Sequence, residues 1–268
     1  MIYTTTDFEG QQSAGRTLLI GVGMTSNRLA VVDEAQQVRF AASYDPERPA
    51  QEVTAVLDRD YAAVKLAIAD CRYMFVPADV YDERQHDTYL RYLPHDGVGT
   101  AQVASITSLG VKLLHQTNRV GVEHLAARYP NAEYYPQVQS LLHASTAQEM
   151  PSGEPLLVIE RHAPRITIAI FNQGKLLYCL DFESINEDDF TYHLLSVIQQ
   201  FGLGDLQLTI LLAGDIGQGD GYHERALAYG GKVAWATGNA WASVQVPEDM
   251  LPHQHRFFSL FGLYQCES

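Results

Sequence analysis

The sequence predicts an α/β fold made of two related halves, and three observations carry that reading. Residues 18–45 and 156–183 align without a gap, each a short apolar run, a polar turn, a β-branched run, a second turn and an alternating run. Each segment is then followed by an amphipathic helix and a further apolar strand. The stretch Glu149-Met150-Pro151-Ser152-Gly153-Glu154 has the chemistry of a linker, which divides the chain into 1–150 and 151–268. A chain of 268 residues suits one large domain or two of ordinary size, and the repeat selects two.

Each half predicts a three-strand antiparallel meander. Leu18-Leu19-Ile20 corresponds to Leu156-Leu157-Val158, and Val38, Phe40, Ala42 and Tyr44 correspond to Leu176, Tyr178, Leu180 and Phe182. The turns are Thr25-Ser26-Asn27 and Asp33-Glu34 in the first copy, His162-Ala163-Pro164 and Asn172-Gln173-Gly174 in the second. After the first meander a helix is expected near 50–59, opened by Pro46 and Pro49, with Val53, Val56 and Leu57 on one face. Alternation at Val64, Leu66 and Ile68 predicts a strand that reverses at Ala69-Asp70 into another over 73–77. Inserted material follows: a helix over 78–93 with Tyr81, Tyr89 and Leu90 inward, then strands over 102–107 and 111–115 about Gly110. A helix near 122–129, a strand near 132–135 and a helix over 137–145 complete the first half.

In the second half Asn186 is the expected N-cap of a helix with Asp188 and Asp189 in its first turn. Phe190, Leu194, Leu195, Val197, Ile198 and Phe201 form its apolar stripe, which ends at Gly202. A strand over 206–213, a helix near 223–229, a strand over 232–236 and a closing helix over 254–264 follow.

Charge and targeting signals narrow the function classes. With 18 Lys and Arg against 32 Asp and Glu the net charge is −14, which repels phosphate backbones and anionic membrane surfaces, so no nucleic-acid partner is expected. No apolar run reaches the roughly 20 residues of a bilayer span, and the first residues lack the basic and apolar regions of a signal peptide. Cys71, Cys179 and Cys266 are too few and too scattered for a disulfide framework, so a cytoplasmic protein with reduced thiols is expected.

A duplicated unit of meander, helix, strand, helix and strand resembles the ribonuclease-H-like building block of the actin-like ATPase fold. The segment from Ile20 through Gly21, Val22, Gly23, Met24, Thr25 and Ser26 to Asn27 resembles that fold's first phosphate loop. Leu211-Leu212-Ala213-Gly214-Asp215 stands where the fold places its adenosine motif, and Phe261-Gly262-Leu263 is similar to the end of pilus-assembly actin-like proteins. Over the whole chain, the run from Met74 to Tyr81, the Tyr-Leu-x-Tyr of Tyr89 to Tyr92 and Asn131-Ala132-Glu133-Tyr134 resemble a bacterial family of uncharacterised proteins, domain of unknown function 3822. The resemblance implies an actin-like ATPase fold of two ribonuclease-H-like halves, each a mixed sheet flanked by helices. It implies no activity.

Working members of that fold hold magnesium through an Asp on the first strand, since hard cations favour carboxylate oxygen. Here that position is Gly21, which has no side-chain ligand. The second-half Asp corresponds to Glu160, followed by Arg161-His162-Ala163-Pro164 in place of glycines and hydroxyls. Pro164 has no N–H for a phosphate cradle, and Asp215 beside Gly214 repels phosphate. Gly21, Gly23, Thr25, Glu160, Gly214 and Asp215 are therefore read as a vestigial nucleotide cleft without catalytic residues. No cofactor is expected, with ATP and magnesium the disfavoured case.

Other constellations are weaker. His253 and His255 lack a third ligand at a recognisable spacing, and the run Asp215 to Gly221 lacks the alternating ligands and closing Glu of a calcium loop, so no metal site is expected. Fifteen tyrosines include several in the inserted region; they either form an interaction surface, with Tyr89 and Tyr92 its candidates, or pack at sheet edges. The resulting expectation is a non-catalytic binding or scaffold protein with a protein partner, including a possible homodimer. The alternative is an ATP-binding phosphotransferase or ATPase with a metal site rewired through Glu160 or Asp215.

Overall fold

Strand pairing builds the same sheet twice. The computed structural model describes residues 1–5, 8, 15–93, 100–148, 154–204, 208–237 and 244–267. The expected linker at 149–154 lies outside these residues except for Glu154. One unit comprises Met1–Ala144, Ser243–Asp249 and Ser259–Ser268; the other comprises Ser145–Ala242 and Met250–Phe258.

In the first unit β1 (Ile2–Thr4), β2 (Thr17–Val22), β3 (Asn27–Val32) and β4 (Val38–Tyr44) precede α1 (Gln51–Leu57) and β5 (Ala63–Ile68). An inserted segment follows, with β6 (Cys71–Pro77), α2 (His86–Leu90), β7 (Gln102–Ile106) and β8 (Val111–Thr117). The chain then returns through α3 (Glu123–Arg128) to β9 (Glu133–Pro136) and α4 (Gln137–Thr146). The main sheet runs β1-β4-β3-β2-β5-β9, and the insertion forms a separate antiparallel sheet, β6-β8-β7. β2 pairs antiparallel with β3 and parallel with β5.

The second unit repeats this plan. Its elements are β10 (Leu156–His162), β11 (Arg165–Asn172), β12 (Lys175–Glu183), α5 (Glu187–Gln200), β13 (Thr209–Gly214), α6 (Gly221–Tyr229) and β14 (Lys232–Trp235). The sheet runs β12-β11-β10-β13-β14, with β10 antiparallel to β11 and parallel to β13. Leaving β1 aside, both main sheets therefore have one strand order and one pattern of directions.

Each unit has its own apolar core, and the cores correct the sequence alignment. Leu18, Ile20, Leu29 and Val31 face the first core, while Leu157, Ile159, Ile168 and Ile170 face the second. Leu18 pairs with Val31 as Leu157 pairs with Ile170. The counterpart of Leu18 is thus Leu157 rather than Leu156, because a one-residue slip turns every side chain to the other face. The third strands keep the expected match: Phe40 and Tyr44 face the first core, and Tyr178 and Phe182 pack on the second. The difference is absorbed between the second and third strands, where the paired positions Val31 and Phe40 are nine residues apart but Ile170 and Tyr178 eight.

Several elements depart from expectation. The helix expected over 78–93 contracts to a 3-10 turn at Glu83–Gln85 and the five residues of α2. Asp82 interrupts it by accepting the Arg84 backbone N–H at 3.0 Å, ending any continuous helix from Ala78. The closing helix expected over 254–264 is a 3-10 helix at Glu248–Phe257 containing Pro252, then α7 (Phe258–Gly262) and a 3-10 turn at Leu263–Gln265. β1, not anticipated, pairs antiparallel with β4.

The end of the chain is tied into the first unit. A Cβ on Gly262 would lie 2.1 Å from the Ser140 carbonyl oxygen, so only glycine allows α7 to cross α4 at this separation. Lys65 on β5 donates to the carbonyls of Tyr264 and Cys266.

α5 shows its sequence logic in full. The Asn186 side chain accepts N–H bonds from Asp188 and Asp189, each at 2.9 Å, and the Asp189 carboxylate accepts the Asn186 N–H at 3.3 Å. This capping box satisfies donors the helix cannot. At the other end Gly202 takes φ 62° while the Leu203 N–H reaches back to the Ile198 carbonyl at 2.9 Å. Asn186→Ala is expected to lower stability by about 1 kcal/mol, read as a fall in the urea midpoint with an unchanged slope.

Candidate functional site

The candidate residues of the first half lie on and just beyond β2. Gly21 pairs with Arg28 of β3 and with Ala67 of β5. A Cβ there would make ordinary contacts, 3.6 Å to Leu260 Cδ1 and 3.9 Å to Arg28 Cβ. Crowding therefore does not demand glycine at this position; its consequence is the missing carboxylate. Gly23 is different, since a Cβ would sit 2.4 Å from the Ser26 carbonyl oxygen. The Gly23 N–H donates to Asn27 Oδ1 at 3.2 Å, which commits that donor to the turn. Thr25 is exposed at the turn's tip.

The second half brings Glu160, Gly214 and Asp215 together at the adjacent ends of β10 and β13. Glu160 pairs with Ala213 and Arg161 with Gly214. Gly214 has φ 78°, and a Cβ on it would lie 2.1 Å from the Arg161 carbonyl oxygen. That same carbonyl accepts the Asp215 N–H at 2.7 Å. Where a phosphate loop is expected, β10 and β11 instead close through Ala163 and Pro164, joined by a cis peptide bond, with His162 paired to Arg165.

The side chains around this hairpin already have partners. Glu160 has no exposed side-chain surface, and its Oε2 lies 3.1 Å from His162 Nε2. Arg161 donates to the Asp215 carbonyl at 3.0 Å and to the Tyr222 hydroxyl at 3.1 Å, with its guanidinium 4.1 Å from the Tyr222 ring centroid. The run Asp215 to Gly221 is the lead-in to a helix: Asp220 caps α6 by accepting the His223 N–H at 2.9 Å and also accepts the Gly217 N–H at 2.5 Å. These residues do not fit a magnesium nucleotide. One carboxylate position is glycine, the other carboxylate is buried against His162, and the turn lacks the N–H of Pro164.

The remaining candidates separate. Tyr89 is used locally: it stacks on Tyr81 at 5.2 Å, accepts the Asp82 N–H and donates to the Val80 carbonyl, both at 3.1 Å. Tyr92 is 75% exposed. His255 is buried, with Nε2 3.0 Å from the Ile216 carbonyl oxygen and its ring 4.4 Å from that of Trp235. Among the described residues no group of three or more His, Cys, Asp or Glu is arranged to hold a metal, and no helix is long and apolar enough to cross a membrane. Cys71, Cys179 and Cys266 are buried and form no disulfide with one another, and burial pushes the Cys266 thiol up to about 12.

Sequence reasoning missed a cavity of about 1000 Å³ in the first unit, bordered by the inserted sheet, β9 and the start of α4. His115 on β8 lines it with only 4% exposure, and His115 Nδ1 has no hydrogen-bond partner among the described residues. Arg119 also lines it and places its guanidinium 4.2 Å from the Tyr134 ring centroid. The buried polar run His115, Gln116 and Thr117 is the available sequence signal, since it breaks the apolar alternation of β8.

A model of a family of proteins of unknown function, DUF3822, matches residues 5–233, and the chain belongs to this family. A solved protein from Bacteroides thetaiotaomicron, described as having an actin-like ATPase fold and unknown function, is similar at 17% identity. The match covers 98% of this chain and 100% of that one, with a TM-score of 0.69. A structure of the PilM-PilN type IV pilus biogenesis complex is similar at 14% identity, covering 93% and 97% of the two chains with a TM-score of 0.64. These likenesses show the actin-like ATPase fold. No curated protein sequence matches the chain.

Two outcomes follow from the geometry. Gly214→Ala combines an unfavourable φ with overlap on the Arg161 backbone and is expected to cost roughly 2–5 kcal/mol, read by urea unfolding. Burial lowers His115 and His255 from 6.5 to about 4, so both are neutral in the folded protein. The unfolded chain binds protons first, so stability should fall as pH drops from about 6.5 towards about 4 and lose this dependence below. Urea midpoints across that interval check the slope, which His255→Asn should make shallower.

Proposed function

We propose that this member of DUF3822 is a non-catalytic binding or scaffold protein on a degenerate actin-like ATPase fold, acting through contacts with another protein. The observation that carries this reading is the closed hairpin at Ala163 and Pro164, with Arg161 held by Asp215 and Tyr222 where a phosphate loop is expected. Gly21 adds to it, because a glycine supplies no oxygen for magnesium or its waters.

The proposed partner is a protein, with a second copy of this chain as the other possibility the reading admits. The PilM-PilN structure supports it by analogy of fold, since there the fold occurs within a protein complex. A net charge of −14 disfavours nucleic acid, and three buried cysteines outside any disulfide agree with a cytoplasmic setting. No cofactor is needed for this role.

Thermal unfolding with ATP and magnesium tests the reading. A ligand that binds the folded state at 100 times its Kd adds about 2.7 kcal/mol, a visible rise in Tm. The expected result is an unchanged Tm at millimolar nucleotide and no phosphate release. A raised Tm with phosphate release would replace this reading by a phosphotransferase or ATPase with a metal site rewired through Glu160 or Asp215.

A further inference from the structure

Two rows of consecutive residues border the first-unit cavity, Gln102 to Ser105 on β7 and Ala132 to Tyr135 at β9. A strand that shows one face to a cavity contributes alternate residues, because successive side chains point to opposite faces. A run of neighbours is what a strand contributes when its edge borders the space. Both strands are sheet edges: β7 ends the order β6-β8-β7, and β9 ends β1-β4-β3-β2-β5-β9. Among the described residues neither outer edge pairs with a further strand, the condition that makes an edge a template for another chain.

We propose that this cavity is a docking groove for an extended, basic peptide segment of a partner protein, which pairs through its backbone with these strand edges. The proposal rests on the protein-binding reading and gives it a place and a chemistry. Extended backbone is the ligand that satisfies a strand edge, and side-chain contacts along the groove supply selectivity. Among the described residues Glu133 and Glu267 line the cavity against the one guanidinium of Arg119, on a chain of net charge −14, which favours a lysine or arginine in the segment. Arg119 lies 4.2 Å from the Tyr134 ring centroid on the cavity wall, where a guanidinium is suited to peptide carbonyls. His115 adds an independent pointer, since its Nδ1 is a buried polar atom still lacking a partner.

The full chain should be panned against a random peptide library displayed on phage, and the selected peptides synthesised. The expected peptides are rich in lysine or arginine and slow hydrogen exchange at amides of Gln102–Ile106 or Glu133–Tyr135. Ala104→Trp, which fills the cavity from β7, should weaken their binding by about tenfold or more, while Leu177→Ala on β12 leaves it unchanged. If the tryptophan variant does not fold, exchange on the unaltered chain decides. Peptides that protect other segments overturn the groove and leave the protein-binding reading standing; a library that yields no binder also overturns the groove. Phosphate release from ATP would instead overturn the non-catalytic reading by a separate route.

Discussion

The first strand of each meander is the constraint on which both units depend. β2 and β10 are central strands, each bonded antiparallel to one neighbour and parallel to the other. A central strand has both its backbone rows committed, so its residues are free to vary only in what they present to the two faces. Leu18, Ile20, Leu157 and Ile159 spend that freedom on the cores. Gly21 and Glu160 are the next residues along, and their surroundings follow from the same ladders. At β10 the last rungs bring Arg161 against Gly214 so closely that its carbonyl occupies the space a side chain would need. The Asp215 N–H, bonded to that same carbonyl, is fixed by the approach.

Such packing is costly to reopen. Arg161 combines two hydrogen bonds with a ring contact, and Glu160 is fully covered. A nucleotide entering there would have to displace charge-assisted bonds before making its own. The first-unit cavity is built in the opposite way, with volume, a buried polar atom and two strand edges open to pairing. The contrast separates a region where Arg161 and Asp215 bond to one another and to their neighbours from one bordered by two sheet edges without a further strand among the described residues.

Periodicity made most of the fold legible. Alternation and turn residues located the meanders, and Asn186 with its following aspartates announced α5, because local chemistry alone decides those features. The repeat itself was visible, yet its register at Leu18 was read one residue short, since both phases are apolar when both faces of a strand are covered. The five-residue α2 was overread as a long helix because the Asp82 interruption acts through a side-chain bond that competes with helix formation. At the candidate site the absent carboxylate at Gly21 was plain in the sequence. The Arg161 clamp and the cavity beside His115 were not, because each joins residues far apart in the chain and only the sheet order makes them neighbours.

The short first strand gives the two copies unequal margins. β1 pairs along β4 and turns that strand into an interior one, whereas β12 ends its sheet with no cover among the described residues. β12 is also the longest strand among the described residues, nine residues, with Leu177 and Leu180 exposed. Open edges of that length invite pairing with other chains, and charge is the usual deterrent. Lys175 and Glu183 lie on β12, so its protection against self-assembly rests on ionic groups rather than on hydrogen-bonded cover, and acid or high salt would erode it.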